Sequence, residues 1–331
     1  MAGKSKIEWT DASWNPIVGC SKVSAGCANC YAIGQAHRMA SNPKTPQYHG
    51  LTQITNGRPN WSGKLRLVES ALDLPLRWKK PKKIFVNSMS DLFHEAVPDE
   101  WIDRIFLVMM ICQSHTFQVL TKRAQRMHDY CASEATKERM FILASALANI
   151  PGVAFHAQGY ADGLPGIRLP NVWLVVSVED QKTADERIAL LLQTPAAVRG
   201  VSYEPALGPL TFRWASWQEF SKLPGGITNE LDGLRKLDWV VCGGESGPGA
   251  RPMHPDWARS ARDQCVAAGV PFFFKQWGEW VPDSPGRPYL RKGRVADFNG
   301  GPQVERVGKK AAGRVLDGRE WNEFPNADTR R

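Results

Sequence analysis

The sequence predicts an α/β fold, a partial or full parallel (β/α) barrel followed by a basic C-terminal extension. Three observations predict it. Short runs rich in β-branched and aromatic residues recur along the chain, and each run ends in polar residues. Helical patterns stand between these runs, and strand, helix, strand in repeated order is typical of a parallel sheet. Several runs are continuously apolar, as expected of parallel strands that are covered on both faces.

The individual elements follow in chain order. Strands are predicted over residues 17–19, 84–87, 117–120, 172–176, 198–202, 239–242 and 270–274. Pro98 and Pro255 each open a helical pattern, because proline suits the first turn of a helix. Thr183 and Glu186 have capping-box spacing at the start of another helix. Gly269 is the expected end of the helix that Pro255 opens.

The chain divides into a barrel over residues 1–280 and an extension over residues 281–331 that packs on it. The barrel pattern is interrupted around residues 132–170, where a helix over 134–148 and a glycine-rich stretch predict an insertion. A single (β/α) barrel routinely reaches the length of this chain, so the sequence requires no second barrel.

Composition excludes several classes of protein. An apolar share of 43% with 23% charged residues is that of an ordinary globular chain, which excludes a disordered or fibrous protein. No stretch of about 18 apolar residues occurs, so no membrane helix is expected. The first residues lack the apolar core of a signal peptide, so we expect a cytoplasmic protein. In that reducing compartment, clustered thiols indicate metal binding or catalysis rather than disulfides.

The charge balance indicates an anionic partner such as nucleic acid. The formal net charge is +9, and the segment from Arg287 to Arg331 holds 11 basic and 6 acidic residues. A second run, from Arg77 to Lys83, has five basic residues and no acidic one. Basic side chains of this kind contact phosphates without reading sequence. The alternative is a solvated surface that binds nothing.

The sharpest motif is a cysteine triplet, Cys20, Cys27 and Cys30, with the spacing C-x6-C-x2-C at the end of the first predicted strand. A [4Fe–4S] cluster has four iron corners that are usually held by four cysteines. Three local ligands therefore leave one iron open for a ligand from outside the protein. One alternative is a zinc site completed by His37, because three cysteines and a histidine form a tetrahedral set. The other alternative is three free thiols.

Polar residues follow almost every predicted strand. In parallel α/β folds the carboxyl ends of the strands carry the functional site, so these residues are expected to converge. They are Asn87, Ser88, Ser90 and Asp91; Thr121, Lys122 and Arg123; Ser177 and Glu179; Ser202 and Glu204; Gly243, Gly244 and Glu245; and Lys275 and Gln276.

A three-cysteine loop after the first strand of such a barrel resembles the radical S-adenosylmethionine (SAM) superfamily. The chain resembles more specifically a radical-SAM-like three-cysteine family of phage and bacterial proteins of unknown function, some of which accompany a separate three-Cys-motif partner protein. Stretches that carry this resemblance are 7–20, 30–32, 87–94, 201–209, 243–246, 274–278 and 307–319. It covers nearly the whole chain, but the commonest spacing in the superfamily is C-x3-C-x2-C, and here the first gap is six residues.

The resemblance implies a fold of the radical SAM type with a [4Fe–4S] cluster on the cysteine triplet and SAM bound to its fourth iron. Reduction would cleave SAM to methionine and a 5′-deoxyadenosyl radical that abstracts hydrogen from a substrate. The residues assigned to SAM are Ser88, Asp91, Glu179, Glu204, Gly243, Gly244 and Glu245. Two of these, Glu179 and Glu204, are assigned either to the ribose of SAM or to the substrate. The residues assigned to substrate or phosphate are Lys122, Arg123, Lys275, Lys309, Lys310 and Arg314.

The function expected from the sequence is a radical SAM enzyme that acts on an anionic substrate, with a nucleotide or nucleic-acid base as the favoured class. Such an enzyme would need an electron donor protein as a partner. No association with a membrane is expected. Two alternatives stay open at this point. One is a zinc-stabilised nucleic-acid-binding protein without redox chemistry, and the other is an iron–sulfur subunit that is active only with a partner protein.

Overall fold

The protein is a mixed α/β fold built on a seven-strand parallel sheet that is curled into a half-barrel. A computed structural model describes residues 3–5, 7–147, 166–212, 233–283 and 294–326. The strands are β1 (Gly3–Lys4), β2 (Ala12–Trp14), β3 (Ile17–Val18), β4 (Thr52–Thr55), β5 (Arg58–Trp61), β6 (Arg66–Leu67), β7 (Lys83–Val86), β8 (Thr116–Thr121), β9 (Val172–Val178), β10 (Val198–Tyr203), β11 (Trp239–Gly243), β12 (Phe272–Gln276), β13 (Trp280–Pro282), β14 (Val295–Asp297), β15 (Gln303–Arg306), β16 (Val315–Leu316) and β17 (Arg319–Glu320).

Helices lie between the sheet strands. They are α1 (Tyr31–Ala40), α2 (Glu69–Leu72), α3 (Asp99–Ile111), α4 (Ala124–Ala132), α5 (Glu134–Ala146), α6 (Gln181–Gln193), α7 (Pro255–Ala268) and α8 (Lys309–Ala312). The sheet has the order β1-β2-β7-β8-β9-β10-β11-β12, in which β1 is antiparallel to β2 and the other pairs are parallel. The predicted parallel sheet is therefore confirmed, in its partial form.

The first predicted strand is wrong in detail. The sheet strand at this point is β2, and Ile17–Val18 instead forms the short antiparallel pair β3–β6. Pro16 stands between them, and because proline has no N–H it cannot continue the ladder of hydrogen bonds. The six later strands lie within one or two residues of their predicted positions.

Helix starts were predicted correctly in two of three cases. Pro98 is the residue before α3, and Pro255 is the first residue of α7, which ends at Gly269 with a φ of 71°. The predicted capping box at Thr183 is wrong. Asp180 is the N-cap of α6, and its side chain accepts a hydrogen bond from the backbone N–H of Thr183.

The two faces of the sheet pack differently. Ile84, Val86 and Val240 lie on the convex face against the helices in the main core. On the concave face, Trp9, Phe85, Trp239, Val241 and Phe273 form a separate aromatic cluster. Side chains alternate along each strand, so the next concave positions toward the carboxyl ends are occupied by the small residues Ser177, Ser202 and Gly243. A floor of large rings below a layer of small residues leaves space inside the half-barrel.

The C-terminal extension covers the free edge of β12. Its strands form a three-stranded sheet, β13-β15-β14, and a hairpin, β16-β17. The backbone N–H of Phe274 then donates to the carbonyl of Trp321 at 3.0 Å, and Phe324 stacks on Trp239. Covering an edge strand in this way prevents it from pairing with another chain. Most of the glycine-rich stretch of the predicted insertion, residues 148–165, lies outside the described residues.

Candidate functional site

A cavity of about 420 Å³ lies at the carboxyl ends of the parallel strands. All three cysteines of the triplet line it, together with the concave floor residues Trp9 and Phe85. The residues singled out from the strand ends that also line it are Asn87, Ser88, Ser90, Asp91, Thr121, Lys122, Arg123, Ser177, Ser202, Glu204, Gly244, Glu245, Lys275 and Gln276. The polar residues at the strand ends therefore converge on this cavity, as the sequence analysis expected.

The cysteines reach the cavity on one loop. Cys20 follows β3 after a single glycine, Cys27 ends a short 3-10 turn, and Cys30 is the N-cap of α1. All three are free and half-buried. Burial, together with the nearby Asp91 carboxylate and Cys30 thiol, raises the pKa of Cys20 to about 12, against the opposing effect of Arg123. The Cys20 thiol is therefore protonated at neutral pH, and a metal centre has to displace its proton to bind it.

The N-terminus of α1 acts on the third cysteine. Burial raises the pKa of Cys30, whereas hydrogen bonds from the backbone N–H groups of Ala32 and Ile33 lower it, and the Cys27 thiol adds to the rise. These N–H groups belong to the first turn of α1, where the helix dipole favours a negative charge, and the Ile33 N–H also donates to the Cys30 carbonyl at 3.3 Å. They give Cys30 the partners that a thiolate would need.

Glu179 holds the cysteine loop from below. Its side chain is completely buried and accepts hydrogen bonds from Lys122 Nζ at 2.5 Å and Ser24 Oγ at 2.9 Å, with Arg187 Nη1 at 3.3 Å. A Cβ on Gly26 would lie 2.5 Å from Glu179 Oε1, so only glycine fits at that point of the loop. Glu179 is thus covered by the loop and does not line the cavity.

Glu245 holds the loop from the other side. Asn29, between Cys27 and Cys30, donates to Glu245 Oε2 at 2.9 Å. Arg251 donates to both carboxylate oxygens of Glu245 and to the backbone carbonyl of Ala25 at 3.0 Å. Burial alone would raise the pKa of Glu245, but the hydrogen bonds from Arg251 and Asn29 keep it below its usual value. Glu245 is therefore an ionised anchor of the loop.

Arg123 and Asp91 hold the beginning of the loop. Arg123 Nη1 lies 3.8 Å from Cys20 Sγ and 3.1 Å from Asp91 Oδ2, and Nη2 donates to Ser21 Oγ at 2.9 Å. The oxygens of Asp91 also accept from the Thr121 hydroxyl and from the backbone N–H groups of Phe93 and Lys122. Because its acceptors are already occupied, Asp91 is poorly suited to the predicted contact with SAM.

The carboxyl ends of β10, β11 and β12 contribute an ion pair and two glycines to this part of the site. Lys275 Nζ lies 2.5 Å from Glu204 Oε2, and both side chains line the cavity. Gly243 lies between these strands, where a Cβ would be 3.2 Å from Glu204 Oε1. A Cβ on Gly244 would lie 2.1 Å from the carbonyl of Trp277, so this glycine allows two backbones to approach closely. Gly243 itself does not line the cavity.

The predicted basic contacts are divided between the cavity and the surface. Lys309 lines the cavity and forms an ion pair with Glu8 at 3.1 Å. Lys310 is exposed outside the cavity, and Arg314 lies over the Phe273 ring and pairs with Asn322 and Glu320. The basic run of residues 77–83 precedes β7, so it lies at the amino edge of the sheet, opposite the cavity.

The histidine of the alternative zinc site does not join the cysteine triplet in this structure. His37 Nδ1 lies 3.1 Å from the hydroxyl of Thr52. Across the described ranges, no group of three or more His, Cys, Asp or Glu side chains could hold a metal ion. The three thiols share one cavity without converging on a single point. A [4Fe–4S] cluster binds its cysteines on separate irons, so spread thiols around one cavity fit a cluster better than a single ion.

Sequence reasoning missed several residues of the site. Asn29 and Arg251 carry no motif signal, because their role depends on Glu245, which is distant in the sequence from Asn29. Glu8 lies between β1 and β2, in a segment that the sequence pattern did not single out. Gln276 was noted only as a polar strand end.

The fold and the site define a mixed α/β half-barrel protein with a cavity lined by three cysteines at the carboxyl ends of its strands. The sequence profile of a family described as "protein of unknown function (DUF5131)" matches residues 4–325. The chain belongs to this family. Comparisons with curated proteins and with solved structures gave no match. No helix of the described ranges is long and apolar enough to cross a membrane.

Proposed function

We propose that the protein is a cytoplasmic radical SAM enzyme with a [4Fe–4S] cluster on Cys20, Cys27 and Cys30. The observation that carries the proposal is the common position of these three cysteines on one cavity at the carboxyl ends of a parallel half-barrel. A set of three protein ligands leaves room for a ligand from outside the protein on the fourth iron.

A bound cluster, which Cys20, Cys27 and Cys30 would hold, would supply the electron for reductive cleavage of SAM and so start radical chemistry on the substrate. The residues of this chain do the rest. Glu179, Glu245 and Arg123 fix the cysteine loop at three points, so that the thiols keep their positions. The apolar cluster around Trp9 and Phe85 forms the floor of the cavity, and apolar walls of this kind would limit the access of water to a reactive intermediate.

Of the residues assigned to SAM, those that line the cavity are Ser88, Asp91, Glu204, Gly244 and Glu245. Glu204, assigned either to the ribose of SAM or to the substrate, forms an ion pair with Lys275 at the cavity wall. An anionic substrate, a nucleotide or a nucleic-acid base, is proposed from the net charge of +9 and from Lys309 at the cavity wall. The electron donor and a three-Cys-motif partner protein are the proposed protein partners.

Reductive cleavage of SAM tests the proposal. The full chain is purified without oxygen, supplied with iron and sulfide, reduced with dithionite and incubated with SAM, and 5′-deoxyadenosine is measured. We expect the product with the wild type and none with Cys27→Ala. A colourless protein with one zinc per chain would contradict the proposal in favour of a structural zinc protein. A brown protein that cleaves SAM only after a partner protein is added would assign it as a subunit.

A further inference from the structure

A buried cation contacts a sulfur atom of the cysteine triplet. Arg123 Nη1 donates a hydrogen bond to Cys20 Sγ at 3.8 Å, and the Arg123 side chain is only 4% exposed. Burial would lower the pKa of Arg123, but Asp91 and Cys20 raise it above its usual value, so the guanidinium stays charged. The first cysteine of the triplet therefore has a charged donor beside it.

The ends of neighbouring strands bring this cation and this sulfur together. Gly19 forms a parallel bridge with Ser90, which follows β7, so the chain enters Cys20 beside Asp91. Arg123 comes two residues after β8, and β8 is the parallel neighbour of β7 in the sheet. The carboxyl ends of parallel strands meet at one edge of a sheet. The contact therefore follows from the order of the strands.

The orientation of the guanidinium is fixed. A guanidinium has five N–H donors, and those of Arg123 all have partners. Nε donates to Glu95 Oε2 at 2.9 Å, and Nη1 donates to Asp91 Oδ2 at 3.1 Å as well as to the Cys20 sulfur. Nη2 donates to the hydroxyl of Ser21 at 2.9 Å and to its carbonyl at 3.2 Å. A cation held on every side keeps its position beside the sulfur.

The other two cysteines have hydrogen-bond partners of a different kind. Backbone N–H groups from the first turn of α1 donate to Cys30, and Cys27 Sγ lies 4.0 Å from the Ser24 hydroxyl. These partners are uncharged, whereas the guanidinium at Cys20 carries a full charge. A hydrogen bond from a charged donor is about twice as strong as one between neutral groups. The three sulfurs of the triplet are therefore not equivalent.

We propose that Arg123 raises the reduction potential of the metal centre through its hydrogen bond to the Cys20 sulfur. Reduction adds one electron, which the electron donor supplies, and no bond to Arg123 forms or breaks. A positive charge and a hydrogen bond at a ligand sulfur stabilise the more negative, reduced state. Arg123 therefore makes the site easier to reduce. This inference rests on the proposed function and deepens it, because it assigns control of the reduction step to one residue.

Reduction potentials of reconstituted variants test the proposal. The full chain is reconstituted with iron and sulfide without oxygen and titrated with dithionite in the presence of redox mediators, and the reduced form is followed by electron paramagnetic resonance. Arg123→Gln removes the charge, so the equilibrium constant for reduction should fall at least tenfold, a shift of about 59 mV for one electron. Arg123→Lys keeps a cation and should recover more than half of that shift. Asp91→Asn removes the carboxylate that neutralises Arg123 and should shift the potential in the opposite direction.

The matched control is Arg251→Gln. Arg251 holds the same loop, but its hydrogen bonds go to Glu245 and to the Ala25 carbonyl, so its loss should leave the reduction equilibrium within twofold. Equal shifts in Arg251→Gln and Arg123→Gln would overturn the proposal, because loosening of the loop would then explain both.

A cluster with an unchanged potential in Arg123→Gln would overturn the control by Arg123 and leave the proposed function intact. A wild-type chain that assembles no cluster would overturn both. If Arg123→Gln alone loses its iron, Asp91→Asn decides: a higher potential supports the proposal, and an unchanged or lower one overturns it.

Discussion

The two ends of the cavity differ in how their polar groups are satisfied. At the cysteine end, Ser24, Asn29 and Ser21 each bond to a charged side chain that follows a sheet strand. At the inner end, Glu204 and Gln276 each keep an acceptor without a partner. A loop held at three points has a fixed shape before anything binds, whereas the two unpartnered oxygens gain no support from hydrogen bonds within the protein. The comparison separates residues that fix the cysteine loop from residues whose buried polar atoms are left without a partner.

The largest effect is expected at the cysteines. Replacing Cys27 by alanine removes one of three proposed cluster ligands, so the reconstituted protein should lose most of its iron and its brown colour. Iron and sulfide per chain are measured after anaerobic reconstitution. Cys112→Ala is the control, because Cys112 is a buried thiol on the helix side of the sheet, and it should keep its iron. Unchanged iron in Cys27→Ala would rule out the triplet as the site.

The second largest effect, on the free energy of unfolding, is expected at Glu179, the buried carboxylate that contacts the cysteine loop. Glu179→Gln removes a fully buried carboxylate from between Lys122 and Arg187 and leaves two cations without their partner. Breaking a buried ion pair costs about 3 kcal/mol or more, so the free energy of unfolding in urea should fall by roughly that amount. Glu186→Gln, at an exposed position of α6, should change it by less than about 0.5 kcal/mol. Equal effects would mean that Glu179 does not anchor the loop.

A smaller effect on stability is expected at Arg251, which contacts the cysteine loop from the side of Glu245. Arg251→Gln removes the bidentate contact with Glu245 and the bond to the Ala25 carbonyl. Arg251 is about one-third exposed, so solvent screens the pair and the expected loss is about 1 to 2 kcal/mol. Hydrogen exchange should become faster over residues 21–29 and stay unchanged in Arg38→Gln, which alters an exposed arginine of α1. Unchanged exchange in that loop would contradict the anchoring role.

The smallest effect is expected at the inner end. Gln276→Leu replaces a buried amide whose Oε1 has no partner with an apolar side chain of similar size. Such a replacement is nearly neutral or stabilising, because no satisfied hydrogen bond of that oxygen is lost. The free energy of unfolding should therefore fall by less than about 1 kcal/mol. A larger loss would show that Gln276 is satisfied within the protein.

Much of the fold could be predicted from local pattern. Continuous apolar runs predicted six of the sheet strands, and proline and glycine predicted both ends of α7. The first strand was misplaced because residues 17 and 18 are as apolar as a sheet strand, and only Pro16 separates them from β2. The capping box was assigned to Thr183 because its spacing to Glu186 fits the motif, but Asp180 caps the helix.

The position of the candidate site could be predicted from the sequence, but the hydrogen-bond partners of its side chains could not. The cysteine triplet and the strand ends gave the position of the cavity, since the carboxyl ends of parallel strands meet at one edge. The partners of each side chain could not be predicted. Glu179 and Glu245 are both carboxylates after a strand, and their contacts with Ser24 and Asn29 arise only when distant segments pack. The basic run of residues 77–83 has the composition of a phosphate site but lies at the wrong edge of the sheet.

The most direct test of the account is the metal that the triplet binds. The full chain, purified and reconstituted without oxygen, is analysed for iron, sulfide and zinc, and the reduced protein is examined by electron paramagnetic resonance with and without SAM. The account predicts about four irons and four sulfides per chain, and a cluster signal that changes when SAM is added. One zinc per chain, or a cluster signal that SAM does not alter, would contradict it.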